Sequence, residues 1–309
     1  MQPKNLFTLE RLNHTKPLFW LAVISLIGAL VLVPLWMSDP RTLGGVSVWE
    51  KPLKFFISSA IFSITYSWLS SFITRGSRWV KRSGLFIAVS LAVELVLIVA
   101  MASIGQTSHF NVSSTTSIVI WSLMATFISI VLFSTLFISI MILIQKDQEL
   151  NLRLALALGS FNTAVGMGLA YLMTWPTAIQ LANYQGIAGS HSVGASDGGP
   201  GLPFFGWSTV AGDLRVGHFF GLHSIQVAVV LLAITLVVPV MFRIPLLLVG
   251  NVTWLGFVGL VTWQSLRAEP FSAPSDLTLT VFSALLGVAA VSFVLLVLFQ
   301  RRSRSKPLI

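Results

Sequence analysis

Apolar runs about 20 residues long recur eight times along the chain: roughly 18–37, 53–73, 84–104, 118–144, 154–175, 217–242, 244–265 and 277–299. A hydrocarbon layer about 30 Å thick is crossed by roughly 20 residues of helix. Inside it every backbone polar group must be hydrogen-bonded within its own segment. The pattern therefore predicts an all-α, polytopic membrane helix bundle of about eight transmembrane helices. The alternating pattern of a membrane β-barrel is absent. A polar stretch with Lys4, Arg11 and Lys16 precedes the first run and no small-residue cleavage site follows it, so that run reads as a retained anchor.

Composition agrees with this pattern. Hydrophobic residues make up 55% of the chain and charged ones 9%, with mean hydropathy +0.87, against about 25% charged in a soluble domain. Residues 1–309 read as a single integral membrane domain. The chain has no cysteine, which excludes disulfides, thiolate metal sites and Fe–S clusters. A net charge of +9 would suggest nucleic acid only if the bases clustered on a water-exposed domain. They flank the apolar runs instead, so the predicted partner is the lipid bilayer and not nucleic acid.

Those flanking bases predict an orientation. With the N-terminus inside, 14 of the 19 Lys/Arg fall on the inner side, among them Arg75, Arg78, Lys81, Arg82 and the 301–306 cluster. The other five are Arg41, Lys51, Lys54, Arg215 and Arg267. The positive-inside rule then gives an N-in, C-in topology. Only Phe242-Arg243-Ile244-Pro245 separates the sixth and seventh runs, which predicts a tight hairpin there. No internal repeat is visible, which argues mildly against an inverted-repeat transporter.

Between the fifth and sixth runs, residues 176–216 form a predicted extracytoplasmic loop. It holds eight glycines, Pro200 and Pro203, with the rings of Tyr184, Phe204, Phe205 and Trp207. A loop that long points to function, and its rings suggest a lid folded down on the bundle. Asp197-Gly198-Gly199-Pro200-Gly201 lacks the preceding strand and the following Lys-Ser/Thr of a phosphate loop.

Chemistry-capable residues gather on the same side. His109, His191, His218 and His223 all lie there, as do six of the ten acids. Each has a plain reading beside a functional one. Asp213 suits a helix N-cap, and Gly217 with Gly221 suits close helix packing. His218 and His223 are about 140° apart on a regular helix and cannot chelate one ion together. His223 and Gln226 share a face, as do Gln106 and His109 if the third helix continues that far. Glu94, deep in the third run, is either a protonated carboxyl bonded to a neighbouring helix or a proton relay. Lys51 and Lys54 oppose the positive end of the second helix. They either snorkel or, in the case of Lys54, pair with Glu50 or Asp213 or hold an anion. Asn162, Gly166, Gly168 and Asn251 read as packing and interhelical hydrogen bonds.

W-E-K-P-L-K-F (49–55), S-H-F-N (108–111), D-G-G-P-G-L-P (197–203) and G-D-L-R-x-x-H-F-x-G-L-H-x-x-Q (212–226) resemble pieces of a family of uncharacterised bacterial multi-pass integral membrane proteins. The resemblance spans about residues 39–230 and implies a bacterial inner (cell) membrane location. Membrane hydrolases of the ceramidase type also use intramembrane histidines. This chain departs from them in its eight runs and in paired histidines five apart, not four.

Two functional expectations follow. One is an outward-facing histidine site for a metal ion or haem, with His109 and one of His218 and His223 as ligands from different helices and His191 or Asp213 delivered by the loop. The other is a small-molecule or proton-coupled transporter or sensor with the loop as lid. Its polar pocket would comprise Lys54, Glu94, Gln106, Asp213, Arg215 and Gln226. A third class is a non-catalytic membrane assembly factor.

Overall fold

The computed structural model describes residues 7–304. Lys4 and Lys306, used in the orientation argument, lie outside the described residues. In chain order the elements are α1 (Leu9–Leu12), α2 (Lys16–Ser38), β1 (Thr42–Leu43), β2 (Val46–Ser47), α3 (Glu50–Ser70), α4 (Ser77–Ser103), α5 (Thr115–Leu143) and α6 (Leu150–Gly168). A 3₁₀ turn over Leu169–Thr174 prolongs α6. There follow α7 (Ala178–Ala182), β3 (Ser192–Val193), β4 (Gly212–Asp213), α8 (Leu214–Leu222), α9 (Ser224–Thr235), α10 (Val240–Leu266) and α11 (Asp276–Arg304).

The chain is mostly helical, and the described residues include six helices long and apolar enough to cross a membrane, seven if the bent pair α8–α9 counts as one. That is compatible with a multi-pass membrane protein. The difference from eight lies in α3, whose apolar run is diluted by Glu50, Lys51, Lys54 and five serines. Four of those, Ser59, Ser63, Ser67 and Ser70, are buried. Small hydroxylated side chains let helices approach closely, and α2 packs along α3. Thr15 and Ser70 share a 2.7 Å hydroxyl hydrogen bond across that contact.

The main apolar core runs through α2–α6, α9 and α10, around Tyr66, Phe72, Ile87, Ile138, Leu156 and Ile225. Outside it the helices expose leucine, isoleucine and valine freely. In α2 alone, Ile24, Leu26, Ile27, Leu30 and Val31 are all exposed. In water such patches would drive association; in lipid they are simply solvated.

The turn between α9 and α10 falls at residues 236–239, not at Phe242–Pro245 as the charge of Arg243 suggested. Pro239 has extended backbone and caps α10, because the helix before a proline is sterically discouraged. Pro245 is taken into α10. Arg243 Nε donates to the Val238 carbonyl at 3.2 Å, so the base closes the turn from within the helix.

Successive long helices bring their ends together in two groups. At one end Gln145 stitches α5 to the α3–α4 turn: its Oε1 accepts from Thr74 N and Arg75 N, and its Nε2 donates to Arg75 O. At the other end lie the β1–β2 hairpin, residues 104–114, the 176–213 segment and the α10–α11 loop. There Asn111 bridges Ile187, and β3 pairs antiparallel with β4, Ser192 opposite Asp213. The long loop is thus structured, and it forms a lid on this end.

Candidate functional site

Asp213 is the buried post on which the lid is built. Its side chain is wholly buried, and Ser208 N and Arg215 N donate to it at 2.9 and 3.0 Å. It is the N-cap of α8, as its position suggested. Arg215 grips the same carboxylate with two nitrogens, at 2.9 and 2.6 Å, and reaches on to the Gly206 carbonyl at 2.5 Å. Lys54 does the matching task from α3: its Nζ pairs with Glu50 at 2.5 Å and donates to the Phe205 carbonyl at 3.3 Å. Lys54 and Arg215, both expected to touch a ligand, therefore hold down adjacent lid carbonyls. Gly206, whose carbonyl Arg215 holds, has φ +67°, a backbone conformation that favours glycine.

Apolar contacts complete the lid. Trp207 is buried among Phe219, Phe220 and Phe271, with ring centroids 5.3–6.0 Å apart. Tyr184, Phe204 and Phe205 are exposed. The Tyr184 hydroxyl donates to the Val112 carbonyl at 2.6 Å. Of the four loop rings, one is the anchor. Among the described residues three non-glycine residues have positive φ, Phe110, Phe204 and Ala268, and all three lie at this end. Such backbone costs about 1–3 kcal/mol each and concentrates at functional or switching sites.

Under the lid, Lys51, from the first turn of α3, places Nζ 3.0 Å from His109 Nδ1. Ser108 Oγ is 3.1 Å from the same nitrogen. An ammonium has only donors, so Nδ1 accepts and the His109 proton sits on Nε2. Burial, and then the Lys51 charge, hold the His109 ring well below the ordinary histidine range. Glu94 from α4 is 4% exposed, within electrostatic reach of Lys51, and its Oε1 has no hydrogen-bond partner. Among the described residues Lys51 has no carboxylate within ion-pair distance, whereas Lys54, Arg41, Arg215 and Arg267 each have one.

His191 and His218 complete the group, both within electrostatic reach of His109. His191 Nδ1 lies 2.9 Å from Asp197 Oδ2, and its ring packs on Phe110 at 5.0 Å. Burial lowers the His191 ring against the opposing pull of Asp197. Burial would raise Asp197, but donors from the His191 ring and from the backbone of His191 and Ser192 outweigh it, so the carboxyl lies below its usual range. His218 Nδ1 is 2.8 Å from the Gly166 carbonyl. A carboxylate and a carbonyl only accept, so both rings carry the proton on Nδ1 and present an Nε2 lone pair.

Three expected members lie elsewhere. Gln106 is exposed, because α4 ends at Ser103 and the expected shared face with His109 does not form. His223 and Gln226 do lie together, but on the far side of a break in the helix. Thr163 inserts its hydroxyl there, accepting from Ile225 N at 3.1 Å and donating to Leu222 O at 3.3 Å. A side chain inserted into the helical ladder produces a kink, here 43° between α8 and α9. His223 then faces a groove lined by Phe219, Phe220, Gln226 and Trp254.

Among the described residues no group of three or more His, Asp or Glu converges closely enough to hold a metal ion. The glycines on either side of this part of α8 face packed helices. A side chain at Gly221 would strike Gly166 of α6, and one at Gly217 would strike Thr262 of α10. These glycines serve helix contact, their plain reading. Asn162 likewise donates to the Asn251 carbonyl at 3.0 Å across α6 and α10. Lys51 was legible as an anomaly, a base opposing its helix dipole; only the fold supplies its partner. No protein family, curated protein or solved structure matches the chain.

Proposed function

We propose that the chain is an eight-span protein of the bacterial cell membrane, both termini cytoplasmic, that binds a small polar molecule beneath its extracytoplasmic lid and exchanges a proton in doing so. This is the behaviour of a proton-linked transporter or sensor. The observation that carries it is Lys51 Nζ at 3.0 Å from His109 Nδ1 beside a buried Glu94 with an orphaned oxygen. A buried acceptor without a partner costs about 1–3 kcal/mol, and a bound molecule with a donor relieves that cost. An ionisable residue at membrane depth is by default functional.

A second reading rests on His191 and His218. Ligating histidines characteristically donate the other ring N–H to a carboxylate or carbonyl, as both of these do. His109 lacks that arrangement. A metal would therefore sit on two imidazoles and draw its remaining ligands from its own cargo or water.

The test is thermal unfolding of the detergent-purified protein against a panel of small carboxylates, phosphates and amines, and separately Zn²⁺. A ligand at 100 times its Kd stabilises by about 2.7 kcal/mol. Under the first reading, a stabilising organic molecule loses its effect in Lys51→Met and Glu94→Gln but keeps it in His223→Gln. Stabilisation by Zn²⁺ alone, lost in His191→Gln and His218→Gln, selects the second reading. Orientation is checked separately. The cysteine-free chain lets a Ser196→Cys variant be labelled in intact cells by an impermeant maleimide, and protection from outside reagent would overturn the topology.

A further inference from the structure

The two ends of the bundle treat their bases differently. At the lid end Arg41, Lys54, Arg215 and Arg267 each hold a carboxylate. At the opposite end α4 opens on Arg78, Lys81 and Arg82, all three exposed, with no acid in its first turn. Among the described residues none of the three has a carboxylate within ion-pair distance. Asp147, on the α5–α6 turn at the same end, accepts instead from the Thr74 hydroxyl at 2.8 Å. Like charges three and four residues apart repel one another on a helix surface. An anion from outside the chain relieves that repulsion.

The continuation of the same helix face decides which anion fits. Residues at helical spacing share a face, so Arg78 and Arg82 are followed on theirs by Leu85, Phe86 and Val89, which are 46%, 58% and 49% exposed. The other face, with Val80, Gly84, Ile87 and Leu91, is buried against the bundle. The outward surface of α4 therefore passes from guanidinium to hydrocarbon within one turn. Trp79 stands at that change, itself exposed, with the Arg82 guanidinium 4.9 Å from its ring centroid. Tryptophan is enriched at the level of lipid headgroups. A soluble anion would use the bases alone. A phospholipid uses both levels, its phosphate among the bases and its acyl chains on the apolar residues beyond.

We propose that this face of α4 binds an anionic phospholipid, with the phosphate between Arg78, Lys81 and Arg82 and the acyl chains along Leu85, Phe86 and Val89. The proposal rests on the multi-pass reading but not on which end of the bundle is cytoplasmic.

The test is native mass spectrometry of full-length protein from an uncharged detergent, given equal amounts of phosphatidylglycerol and phosphatidylcholine with matched chains. A base near the headgroups contributes about fivefold, so phosphatidylglycerol should be retained at least about tenfold more strongly. Arg78→Gln/Arg82→Gln should lower that preference by about tenfold. Lys16→Gln/Lys146→Gln, which removes the same charge from exposed positions at the same end, should largely keep it. Glycerol 3-phosphate, the headgroup without chains, should not displace the lipid. Equal retention of the two lipids by the wild type overturns the proposal while leaving the multi-pass reading intact, and it depends on no variant folding. Equal losses in the two double variants would mean a diffuse attraction and overturn the assigned site. Displacement by glycerol 3-phosphate overturns the acyl contact. Protein that stays dispersed without detergent overturns the multi-pass reading, and this proposal with it.

Discussion

His218 and His223 stand five residues apart on one stretch of chain, yet they belong to different regions. His218 lies before the helix break, bonded to the Gly166 carbonyl within reach of the lid histidines. His223 lies at the break, in the aromatic groove. The lid region is held by charge: Asp213 with Arg215, Glu50 with Lys54, and Asp197 with His191. The groove region is held by neutral hydrogen bonds and rings, centred on Thr163 and Trp254. The difference follows from surroundings. Near a helix end and a water-exposed loop, a partly exposed base such as Arg215 can pair with a buried carboxylate such as Asp213, and backbone donors complete its shell. Deeper in the bundle, a charge without a partner costs several kcal/mol, and hydroxyls and amides replace it.

The largest test removes what the two regions share. Gly166→Val would drive a side chain into the Gly221 backbone, and overpacking of this kind costs about 1–3 kcal/mol, sometimes more. Because backbone meets backbone, the expected loss is about 3 kcal/mol or beyond, seen as a lowered unfolding temperature in detergent. The ligand response requiring Lys51 should vanish with it; a variant of wild-type stability would disprove the close α6–α8 contact.

Next comes a change confined to the lid. Asp213→Ala strips the partner from Arg215 and the cap from α8. Breaking a buried ion pair costs about 3–5 kcal/mol; with Arg215 about 30% exposed, the lower end is expected. Limited proteolysis should then cut within residues 176–213; a lid as resistant as the wild type's would mean that Asp213 does not anchor it.

The converse change is Thr163→Val, which orphans the Ile225 N–H at the kink. The expected cost is about 1–2 kcal/mol. The unfolding temperature should fall accordingly, whereas the response requiring Lys51 should persist; a variant of wild-type stability would mean that the break does not depend on Thr163.

The smallest effect is that of pH on the lid. The His109 and His191 rings both titrate below their ordinary value of 6.5 in the folded chain. Between that value and the folded one, the unfolded chain binds more protons, so stability falls as pH falls. Their contribution is fully present above about pH 6.5 and is lost progressively on acidification. Asp197, also lowered, adds a further loss only below the ordinary carboxylate range, near pH 4. Unfolding temperature should therefore drop from pH 7.5 to 5.5, and less steeply in His109→Gln. An equal slope in that variant would remove His109 from the explanation.

Much of the helical order was legible along the chain because apolar run length is a one-dimensional property. Boundaries failed where two signals competed. Arg243 looked like a loop residue, but proline stereochemistry at Pro239 placed the turn earlier. The site was legible in part. Its histidines were visible as residues, and Asp213 as a cap. What could not be read was which nitrogen each ring offers, since that depends on partners 58 and 52 residues away for His109 and His218. Gln106 looked like a neighbour of His109 only while α4 was assumed to continue past Ser103.

By itself, the sequence determined the helical class, the compatibility with a membrane and the gathering of imidazoles near one end of the bundle, because composition and spacing decide these locally. The tertiary structure alone decided that Lys54 and Arg215 clamp the lid, that Lys51 meets His109, and that a kink sends His223 and Gln226 into a separate groove. Each of those outcomes is set by where a distant carbonyl or hydroxyl comes to rest, and no local rule encodes that position.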